Sequence, residues 1–462
     1  MHEEALEDME LEGQQARGFL LNFKLLKDKG DPFLIFFTIL SSVLVVFIAL
    51  KLRIFAMWSE FLNSSLFLKL STIPFLIAAI VVLAGLLWRT ILWFRYKAMT
   101  FSRGEDIDWP GLTVLMPAFN EEDLISKAID SVFAADYPSD KLELICVNDG
   151  SSDLTHYYMK RAKQKYGDRM KVINFPKNQG KRRALYAGVK QAKGSIMVTV
   201  DSDSKIARAS LRHLVLPMIR DERVGAVSGR VAVLNEQENF LTRMLSIRYS
   251  VSFDFGRGYQ DVFGTVICTP GALSAYRTSV LRQFIYEWVN QKFMDLPCTY
   301  GEDRGLTTYV LKLGFLTRYQ SNAVVYTHVP PTFSGMSKMY LRWTRSFIRE
   351  SILFGRFMLK PYRKHNRVQP VLDFFFMNFL HPFHLFSVFI IFYSFVINPL
   401  FLIRHLAFLI AVSFFLSMYY LRSNKSLTFL YGIPFGLLTA FFLWWIVPYS
   451  ALTMRNRSWL TK

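Results

Sequence analysis

Two aspartates separated by one residue close an apolar run of the chain. The run reads VTVDSDS, so Asp201 and Asp203 alternate out of the end of a predicted strand. Carboxylates at this spacing suit a hard divalent cation that also bridges phosphate oxygens. For an isolated match, an ordinary acidic loop after a strand is an equally good interpretation. The motif therefore predicts a cation site only where its neighbours support one.

Two further polar segments also follow predicted strands. The first reads PAFNE and carries Pro117, Asn120 and Glu121, and the second reads CVNDGSSD and carries Asp149. In open parallel sheets, ligands bind where the carboxyl ends of the strands meet. We therefore expect these side chains to gather at the same edge as the paired aspartates.

Alternating apolar and amphipathic stretches position these motifs between residues 112 and 326. The apolar stretches favour strands, and they read LTVLMPAF, LELICVND, KVINFPK and SIMVTVDSDS. The stretches between them favour helices, and they read EDLISKAIDSVFAAD, LTHYYMKRAKQKYG and KRRALYAGVKQA. This repeated βαβ pattern predicts an α/β domain with a mostly parallel sheet.

Apolar segments on both sides of this domain predict a membrane protein. The 462-residue chain is 52% hydrophobic, more apolar than an ordinary soluble protein, and its net charge is +19. The predicted spans are 32–50, 70–88, 371–397, 400–421 and a broken run at 427–452 that enters and returns. Basic residues after the second span place the α/β domain in the cytoplasm, at the cell membrane.

A basic stretch follows the α/β domain. It threads Arg342, Arg345 and Arg349 among apolar residues, which is typical of amphipathic helices that contact membrane lipids. The acidic N-terminus lacks the features of a cleaved signal, so the first span is expected to remain as an anchor. The predicted organisation is a cytoplasmic tail at 1–31, a membrane hairpin at 32–97, the α/β domain at 98–330, interface helices at 331–370, membrane helices with a broken hairpin at 371–454, and a tail at 455–462.

Six motifs in order resemble those of family 2 glycosyltransferases, particularly the hyaluronan synthases and related enzymes that make chitin oligomers. They read PAFNE, NDGSSD, KNQGKRRA, TVDSDS, GEDRGLTTYVLKLG and RWTRSFIRES, and the resemblance spans about residues 112–351. It implies a GT-A-like domain that takes sugar from UDP-sugar donors. It also implies inverting transfer to a growing polysaccharide, with the product a β-glycoside.

The resemblance assigns roles on the donor side of the site. Asp149 would hold the uracil or ribose within a nucleotide site that includes the PAFNE residues. Lys181 and Arg182 would meet the phosphates, although a solvated helix start is the alternative. Asp201 and Asp203 would hold Mg²⁺ or Mn²⁺ on the diphosphate, which lowers the cost of expelling UDP.

The resemblance also assigns roles on the acceptor side. Asp303 would take the proton of the attacking hydroxyl, with Glu302 and Arg304 beside it in the catalytic motif. Acids favoured by a helix N-terminus are the alternative for this segment. Arg342 and Trp343 match an Arg-Trp pair that clamps the diphosphate and stacks on sugar. An interfacial anchor is the alternative for that pair.

Some positions depart from the family pattern or match it weakly. Met339 stands where the family has glutamine before the Arg-Trp pair. Cys268 lies in a loop that the family places beside the acceptor sugar, and Arg257 matches another acceptor-side position. Trp459 and Lys462, in the ending SWLTK, resemble a terminal loop that gates the nucleotide site. A buried structural cysteine and a frayed chain end are the alternatives here.

The motifs together predict a processive membrane glycosyltransferase that extends and exports a polysaccharide. The first expectation for the product is hyaluronan, made from UDP-GlcNAc and UDP-GlcA. Alternatives are a chitin-like or Nod-type β-N-acetylglucosaminyltransferase, a transferase that adds one sugar to a lipid, or a non-catalytic membrane transport or sensing protein. The expected partners are the donors, the polymer and membrane lipids, without nucleic acid, and a monomer is plausible.

Overall fold

The computed structural model describes most of the chain, in two compact units. The described residues are 24–53, 56, 59–60, 63, 66–102, 104–364, 366–378, 396, 399–424 and 426–456. One unit, called here the helical unit, is formed by 1–86, 236–255 and 379–445. The other, called the sheet unit, is formed by 87–235, 256–378 and 446–462. Segment 236–255 is grouped with the helical unit, and the predicted domain boundaries stay a prediction.

A mixed eight-stranded sheet forms the centre of the sheet unit. The strands are β1 Leu112–Ala118, β2 Leu142–Asn148, β3 Met170–Asn174, β4 Ile196–Thr199, β5 Ser204–Ile206, β6 Val224–Val233, β7 Ser274–Arg277 and β10 Leu316–Thr327, and a separate hairpin has β8 Lys292–Phe293 and β9 Leu296–Pro297. The sheet order is β3-β2-β1-β4-β7-β6-β10-β5. The four predicted strands are confirmed as β1 to β4, and they pair in parallel.

The prediction of a mostly parallel sheet is only partly confirmed. β7 pairs antiparallel with both β4 and β6, and β5 pairs antiparallel with β10. β1 is buried along its whole length, as expected for an apolar strand covered on both faces. The antiparallel strands come from distant parts of the chain, so the repeated βαβ pattern did not indicate them.

Helices cover the sheet and form the second unit. The α-helices of the described chain are α1 Lys24–Lys51, α2 Leu66–Arg95, α3 Ile125–Phe133, α4 Thr155–Tyr166, α5 Lys181–Gln191, α6 Ser210–Arg220, α7 Phe240–Ser250, α8 Gly258–Val262, α9 Thr278–Val289, α10 Glu302–Lys312, α11 Phe333–Met358, α12 Val368–Asn378, α13 Pro399–Ser417, α14 Gly432–Phe442 and α15 Ile446–Leu452. In the sheet unit, α5, α9 and α10 share one core with β1, in which Leu115, Tyr276 and Trp288 are fully buried. This core fixes where α5 and α10 begin.

In the helical unit, polar contacts fasten the start of α7. The side chain of Asn239 accepts from the backbone N–H of Thr242, whose hydroxyl in turn accepts from the Asn239 N–H. This capping box satisfies N–H groups that the first turn leaves unpaired. Arg243, one turn into the helix, donates to the Tyr431 hydroxyl at 2.9 Å. The start of α7 is therefore held at a defined place in this unit.

In the described residues, helices lie at the predicted apolar spans apart from a break at 443–445. Among the described residues, no single helix is both long and apolar enough to cross a membrane. The segments Leu427–Phe442 and Ile446–Leu452 pass by length and composition only when they are taken together. The break predicted within 427–452 is confirmed, whereas membrane crossing stays a prediction.

The basic stretch predicted to form interface helices is largely one helix, α11. Arg345 and Arg349 of this helix are only 2% and 6% exposed. Arg345 donates to the Thr453 hydroxyl, and Arg349 donates to Glu350 and to the Tyr300 carbonyl. These two side chains therefore bind within the sheet unit, and the place of the helix at a membrane interface stays a prediction.

Candidate active site

Several of the residues singled out from the sequence line one cavity. Pro117 comes from the end of β1, Asp201 follows β4, Lys181 begins α5, and Glu302 and Asp303 begin α10. Strand ends and helix starts thus meet at one edge of the sheet, as the sequence predicted for the carboxylates.

Lys181 connects two of these carboxylates. Its ammonium Nζ lies 2.6 Å from Asp201 Oδ1 and 2.8 Å from Glu302 Oε1. Burial opposes ionisation of Glu302, but the charge of Lys181 outweighs it and lowers the pKa of Glu302 to about 2. Burial likewise disfavours the ammonium, and the two carboxylates more than offset this and raise the pKa of Lys181. The ion pair between Lys181 and Glu302 is therefore charged at neutral pH.

Asp201 and Asp203 form a pair of oxygen donors. Burial raises the pKa of Asp201, Lys181 opposes that shift, and the charge of Asp203 adds to it, so the two carboxylates interact. Asp203 Oδ1 accepts from the Ser204 hydroxyl at 3.0 Å and the Thr327 hydroxyl at 3.4 Å. Among the described residues, no group of three or more His, Cys, Asp or Glu side chains forms a metal site. The pair still fits Mg²⁺ or Mn²⁺, because Mg²⁺ usually takes one or two carboxylates and completes its shell with phosphate and water.

Asp303 has the environment of a proton acceptor. Its Oδ1 accepts from the Arg304 backbone N–H at 2.7 Å, and its Oδ2 lies 3.8 Å from Cys268 Sγ. Burial and the nearby negative charge of Glu302 raise the pKa of Asp303 above the ordinary aspartate value. A carboxylate with a raised pKa is a stronger base, which suits it to take a proton from a hydroxyl.

The raised pKa of Asp303 predicts the acid side of the pH profile. A base works only when it is ionised, so activity should be lost as pH falls through the pKa of Asp303. Because that pKa is raised, we expect the acid limb of kcat/KM to lie at higher pH than an ordinary aspartate would give. Initial rates across a pH series test this, and an acid limb at or below the ordinary aspartate pKa would contradict it.

Arg182 lies in the interior instead of at the cavity. It is 4% exposed, and its Nη1 donates to the Trp288 carbonyl and to Gln291 Oε1, both at 2.9 Å. Its guanidinium lies 4.8 Å from the Trp288 ring centroid. Adjacent helical residues point about 100° apart, so Lys181 and Arg182 reach different environments. The predicted phosphate contact of Arg182 is therefore corrected to an internal packing contact.

Replacing Arg182 with methionine should destabilise the fold more than it weakens nucleotide binding. The change leaves Gln291 Oε1 without its donor and removes the guanidinium from the Trp288 ring, whereas the Trp288 carbonyl still accepts from the Gln291 backbone N–H. An unpaired buried group costs about 1–3 kcal/mol. We expect unfolding in urea to show a loss of about 2–4 kcal/mol. Arg182→Lys should recover part of that loss. UDP affinity that falls severalfold with unchanged stability would instead favour a phosphate contact.

Arg304 also points away from the cavity of Asp303. Its Nη2 donates to the Ser351 hydroxyl at 3.1 Å, and its guanidinium lies 4.1 Å from the Phe347 ring centroid. Only the backbone N–H of Arg304 contacts the candidate base. The catalytic role predicted for its side chain is therefore corrected to a structural one.

The residues at the ends of β1 and β2, which the sequence predicts to bind the nucleotide, form hydrogen bonds with neighbouring turns. Asp149 is 3% exposed, and its two carboxylate oxygens accept from the N–H groups of Gln179 and Gly180 at 2.7 and 2.9 Å. The carbonyl oxygen of the Asn120 side chain accepts from the Ser152 N–H at 2.9 Å. These bonds shape the turn before α5 and the end of β1. Nucleotide contact by Asp149 and Asn120 stays a prediction.

The same network includes Glu121, whose backbone N–H donates to the Thr155 hydroxyl at 2.7 Å. Asn120 has a positive φ of 54°, a conformation that asparagine tolerates better than most residues. The segment PAFNE therefore turns sharply after β1 and is tied to the start of α4.

The predicted acceptor-side residues lie around the base. Arg257 Nε donates to the Cys268 carbonyl at 2.9 Å, which places both near Asp303. The charge of Arg342 contributes to the lowered pKa of Glu302, although less than Lys181 does. Their contacts with substrate stay predictions.

The Arg-Trp motif lies on α11. The Trp343 ring packs edge-on against Tyr340 at 5.7 Å between centroids, and Met339 is 5% exposed. Methionine therefore occupies a buried position where the family pattern has glutamine. Trp459 and Lys462 lie outside the described residues.

The sequence did not indicate two residues that fix the turn preceding the candidate base Asp303. Gly301 starts α10 in a left-handed conformation with φ 67°, and Arg349 donates to the Tyr300 carbonyl at 2.7 Å. Gly301 directly precedes the acid pair Glu302-Asp303 in the motif GEDR. This position could have indicated a left-handed turn, because glycine adopts a positive φ without steric cost. Arg349 gave no local signal, since its partner is 49 residues away.

Comparison with known proteins agrees with this geometry. The model of glycosyl transferase family 2 matches residues 113–285. An N-acetylglucosaminyltransferase of Azorhizobium caulinodans is 31% identical over 281 residues, which cover 60% of this chain and 70% of that protein. The chain therefore belongs to glycosyltransferase family 2. It is a glycosyltransferase, and hence an enzyme.

Two further comparisons show how much of the chain is similar to known proteins. An N-acetylglucosaminyltransferase of Rhizobium meliloti is 36% identical over 245 residues, which cover 53% of this chain and 57% of that protein. A mannosyltransferase from Pyrobaculum calidifontis, solved with GDP-Man and Mn²⁺, aligns over 82% of this chain and 96% of its own with a TM-score of 0.50. Its sequence identity is 21%, so this likeness shows the fold alone. The fold is GT-A-like.

Proposed function

We propose that this protein transfers N-acetylglucosamine from a UDP-sugar to a growing β-linked acceptor. The observation that carries the proposal is one cavity in which Lys181 bridges Asp201 and Glu302 beside the raised-pKa carboxylate of Asp303. The relatives named N-acetylglucosaminyltransferase favour this chitin-like or Nod-type reading over the first expectation of hyaluronan.

In the proposed reaction, Asp303 accepts the proton of the acceptor hydroxyl as that oxygen attacks the anomeric carbon. The new C–O bond forms on the face opposite the diphosphate, and the bond to UDP breaks with its electron pair leaving on the phosphate oxygen. Inversion of an α-linked donor then gives a β-glycoside. General-base help of this kind contributes about 10²–10⁴-fold to a rate.

The same cavity holds groups that would neutralise the charge on the departing diphosphate. Mg²⁺ or Mn²⁺ held by Asp201 and Asp203 would neutralise the diphosphate when bound. Lys181 holds Asp201 and Glu302 in place and keeps a cation next to the aspartate pair. Arg342, whose charge acts on Glu302, is the proposed additional contact for the phosphates.

Removing divalent cations should abolish transfer. With the chain purified in lipid, EDTA is expected to lower the rate about a hundredfold or more, because about 3–4 kcal/mol of charge stabilisation is lost. Added Mn²⁺ or Mg²⁺ should restore it, and UDP affinity measured by calorimetry should fall and recover in parallel. Full activity and unchanged UDP affinity after chelation would contradict the metal role of the aspartates.

Membrane location and export are also part of the proposal. The apolar composition, the helices at the predicted spans and the basic flanks support a multi-pass protein with a cytoplasmic transferase domain. The chain spans 57% of the length of the Rhizobium meliloti relative. Processivity and export are therefore proposals for this chain and are not taken over from that relative.

A donor-substitution assay tests the sugar. Full-length protein in lipid with Mn²⁺ is supplied with labelled UDP-GlcNAc alone, UDP-GlcA alone, or both, and products are sized on a gel and digested with polymer-specific hydrolases. We expect a chitinase-sensitive product from UDP-GlcNAc alone. A polymer that requires both donors would establish hyaluronan instead. A lipid carrying a single labelled sugar would indicate transfer of one sugar to a lipid. If neither donor is turned over, the proposed function is wrong.

A further inference from the structure

Helix α11 makes direct contact with the turn that starts α10. Arg349 Nη2 donates to the Tyr300 carbonyl at 2.7 Å, and the next residue is Gly301 with its positive φ. A side chain at position 301 would collide with Ser346 Oγ and would lie 2.8 Å from Arg349 Nη2. The turn is therefore seated on α11 without free space. Glu302 and Asp303 follow it directly.

Glu350 anchors Arg349 from within the core. The Glu350 side chain is fully buried, and its Oε1 accepts from Arg349 Nε at 2.9 Å and from Gln291 Nε2 at 3.5 Å. In the described part of the chain, its Oε2 has no hydrogen-bond partner. Keeping such a carboxylate in the interior is costly, and it is offset only by nearby positive charge.

Three buried guanidiniums supply that positive charge. Arg182, Arg304 and Arg349 are each at most 9% exposed. Burial lowers the pKa of Arg182 and of Arg304, and the charge of Glu350 opposes the shift in both. Arg304 and Glu350 also line one cavity, and the buried Arg304 Nε likewise lacks a hydrogen-bond partner among the described residues. Glu350 is thus the carboxylate set among these cations.

The contacts form a short mechanical path to the base. Glu350 fixes Arg349, Arg349 fixes the Tyr300 carbonyl, and the turn at Gly301 then directs Asp303 into the cavity that holds Lys181. A base must lie within hydrogen-bond reach of the proton it takes, and a displacement of about 1 Å can cost about a hundredfold in rate. Glu350 itself does not line the cavity of Asp303.

We propose that Glu350 is a positioning residue for transfer: its buried carboxylate holds Arg349 against the Tyr300 carbonyl and so fixes the turn that presents Asp303. The inference rests on the proposed function, because that function makes Asp303 the base. It predicts that Glu350 governs the rate of the chemical step and leaves donor binding alone.

Two substitutions of Glu350 test this in the full-length protein in lipid with Mn²⁺. Glu350→Gln keeps an oxygen that accepts from Arg349 but removes the charge, and Glu350→Ala removes both. We expect kcat per UDP-binding site to fall about tenfold in the first and about a hundredfold in the second. The KM for UDP-GlcNAc and the Kd for UDP should stay within about twofold. Glu222, an exposed acid, provides Glu222→Gln and Glu222→Ala as matched controls.

Counting UDP-binding sites by calorimetry separates positioning from simple loss of folded protein. A purely structural role would lower the number of binding sites and leave kcat per site unchanged, which would overturn the proposal. A fall in kcat matched by an equal fall in UDP affinity would overturn it as well.

Should Glu350→Ala yield no folded protein, Arg349→Lys decides the question. Lysine keeps a cation beside Glu350 but cannot donate to Glu350 and the Tyr300 carbonyl in the same fork geometry. A tenfold fall in kcat at constant UDP affinity would support the proposal, and wild-type kcat would overturn it. Wild-type protein that turns over no UDP-GlcNAc would overturn the proposed function itself. If the wild type is active and the Glu350 and Arg349 variants keep the wild-type kcat, only the inference on Glu350 is overturned.

Discussion

Asp303→Asn is expected to lower kcat about a hundred- to ten-thousand-fold while UDP affinity stays within about twofold. The amide is close in size to the carboxylate and can still accept from the Arg304 N–H, but it cannot take the acceptor proton at neutral pH. Because the base acts only in the chemical step, the loss should appear in kcat and not in donor binding. Initial rates with labelled UDP-GlcNAc and calorimetry with UDP measure the two quantities.

Asp140→Asn, at an exposed position, is the matched control for this change and should leave both quantities unaltered. The acid limb of the pH profile should be present in the wild type and the control. If Asp303→Asn retains turnover within about threefold of the wild type, another group is the base or the reaction needs none, since general-base help is worth far more.

The first half of the sheet and the gathering of its polar residues followed from the sequence. Apolar runs such as LTVLMPAF and LELICVND became β1 and β2 because they are long enough for a buried strand and end at polar turns. Parallel pairing then forces their carboxyl ends to one edge, so Pro117 and Asp201 line one cavity. Short-range patterns were sufficient for this part.

The second half of the sheet depends on pairings that no local pattern records. β7 lies between β4 and β6, and β10 pairs with β5 across more than a hundred residues. Whether a strand runs parallel or antiparallel to its neighbour is decided by the path of the chain between them. The βαβ repeats before Asp203 therefore gave no information on the strands that follow it.

Neighbouring basic residues could not be told apart by type. Lys181 and Arg182 are adjacent cations in KNQGKRRA, yet one binds carboxylates in the cavity and the other stacks on Trp288 in the core. Arg349 looked like an interfacial residue because it sits among apolar neighbours in an amphipathic helix. Its buried partners, Glu350 and the Tyr300 carbonyl, became visible only when the helix was placed against the turn.

Lys181→Met is expected to lower kcat/KM for UDP-GlcNAc about a hundredfold or more. Methionine keeps much of the side-chain length but leaves the carboxylates of Asp201 and Glu302 without their shared cation, next to an anionic diphosphate. Losing one partner of a charge pair in a binding site costs about 2–5 kcal/mol of binding free energy when the groups are buried. A hundredfold loss corresponds to about 2.7 kcal/mol, in the lower part of that range, because the groups here are partly exposed. Steady-state rates at several donor concentrations measure the effect.

The pH profile gives this prediction a second, independent readout. The charge of Lys181 favours the ionised form of Asp303, so its removal should raise the pKa of Asp303 further. Residual activity of Lys181→Met should therefore be lost at higher pH than that of the wild type. Lys181→Arg keeps the charge and should leave the acid limb near its wild-type position, and Lys193→Met controls for loss of an exposed lysine. An acid limb that does not move in Lys181→Met would mean that Lys181 and Asp303 are not electrostatically coupled, and the bridge would then serve donor binding alone.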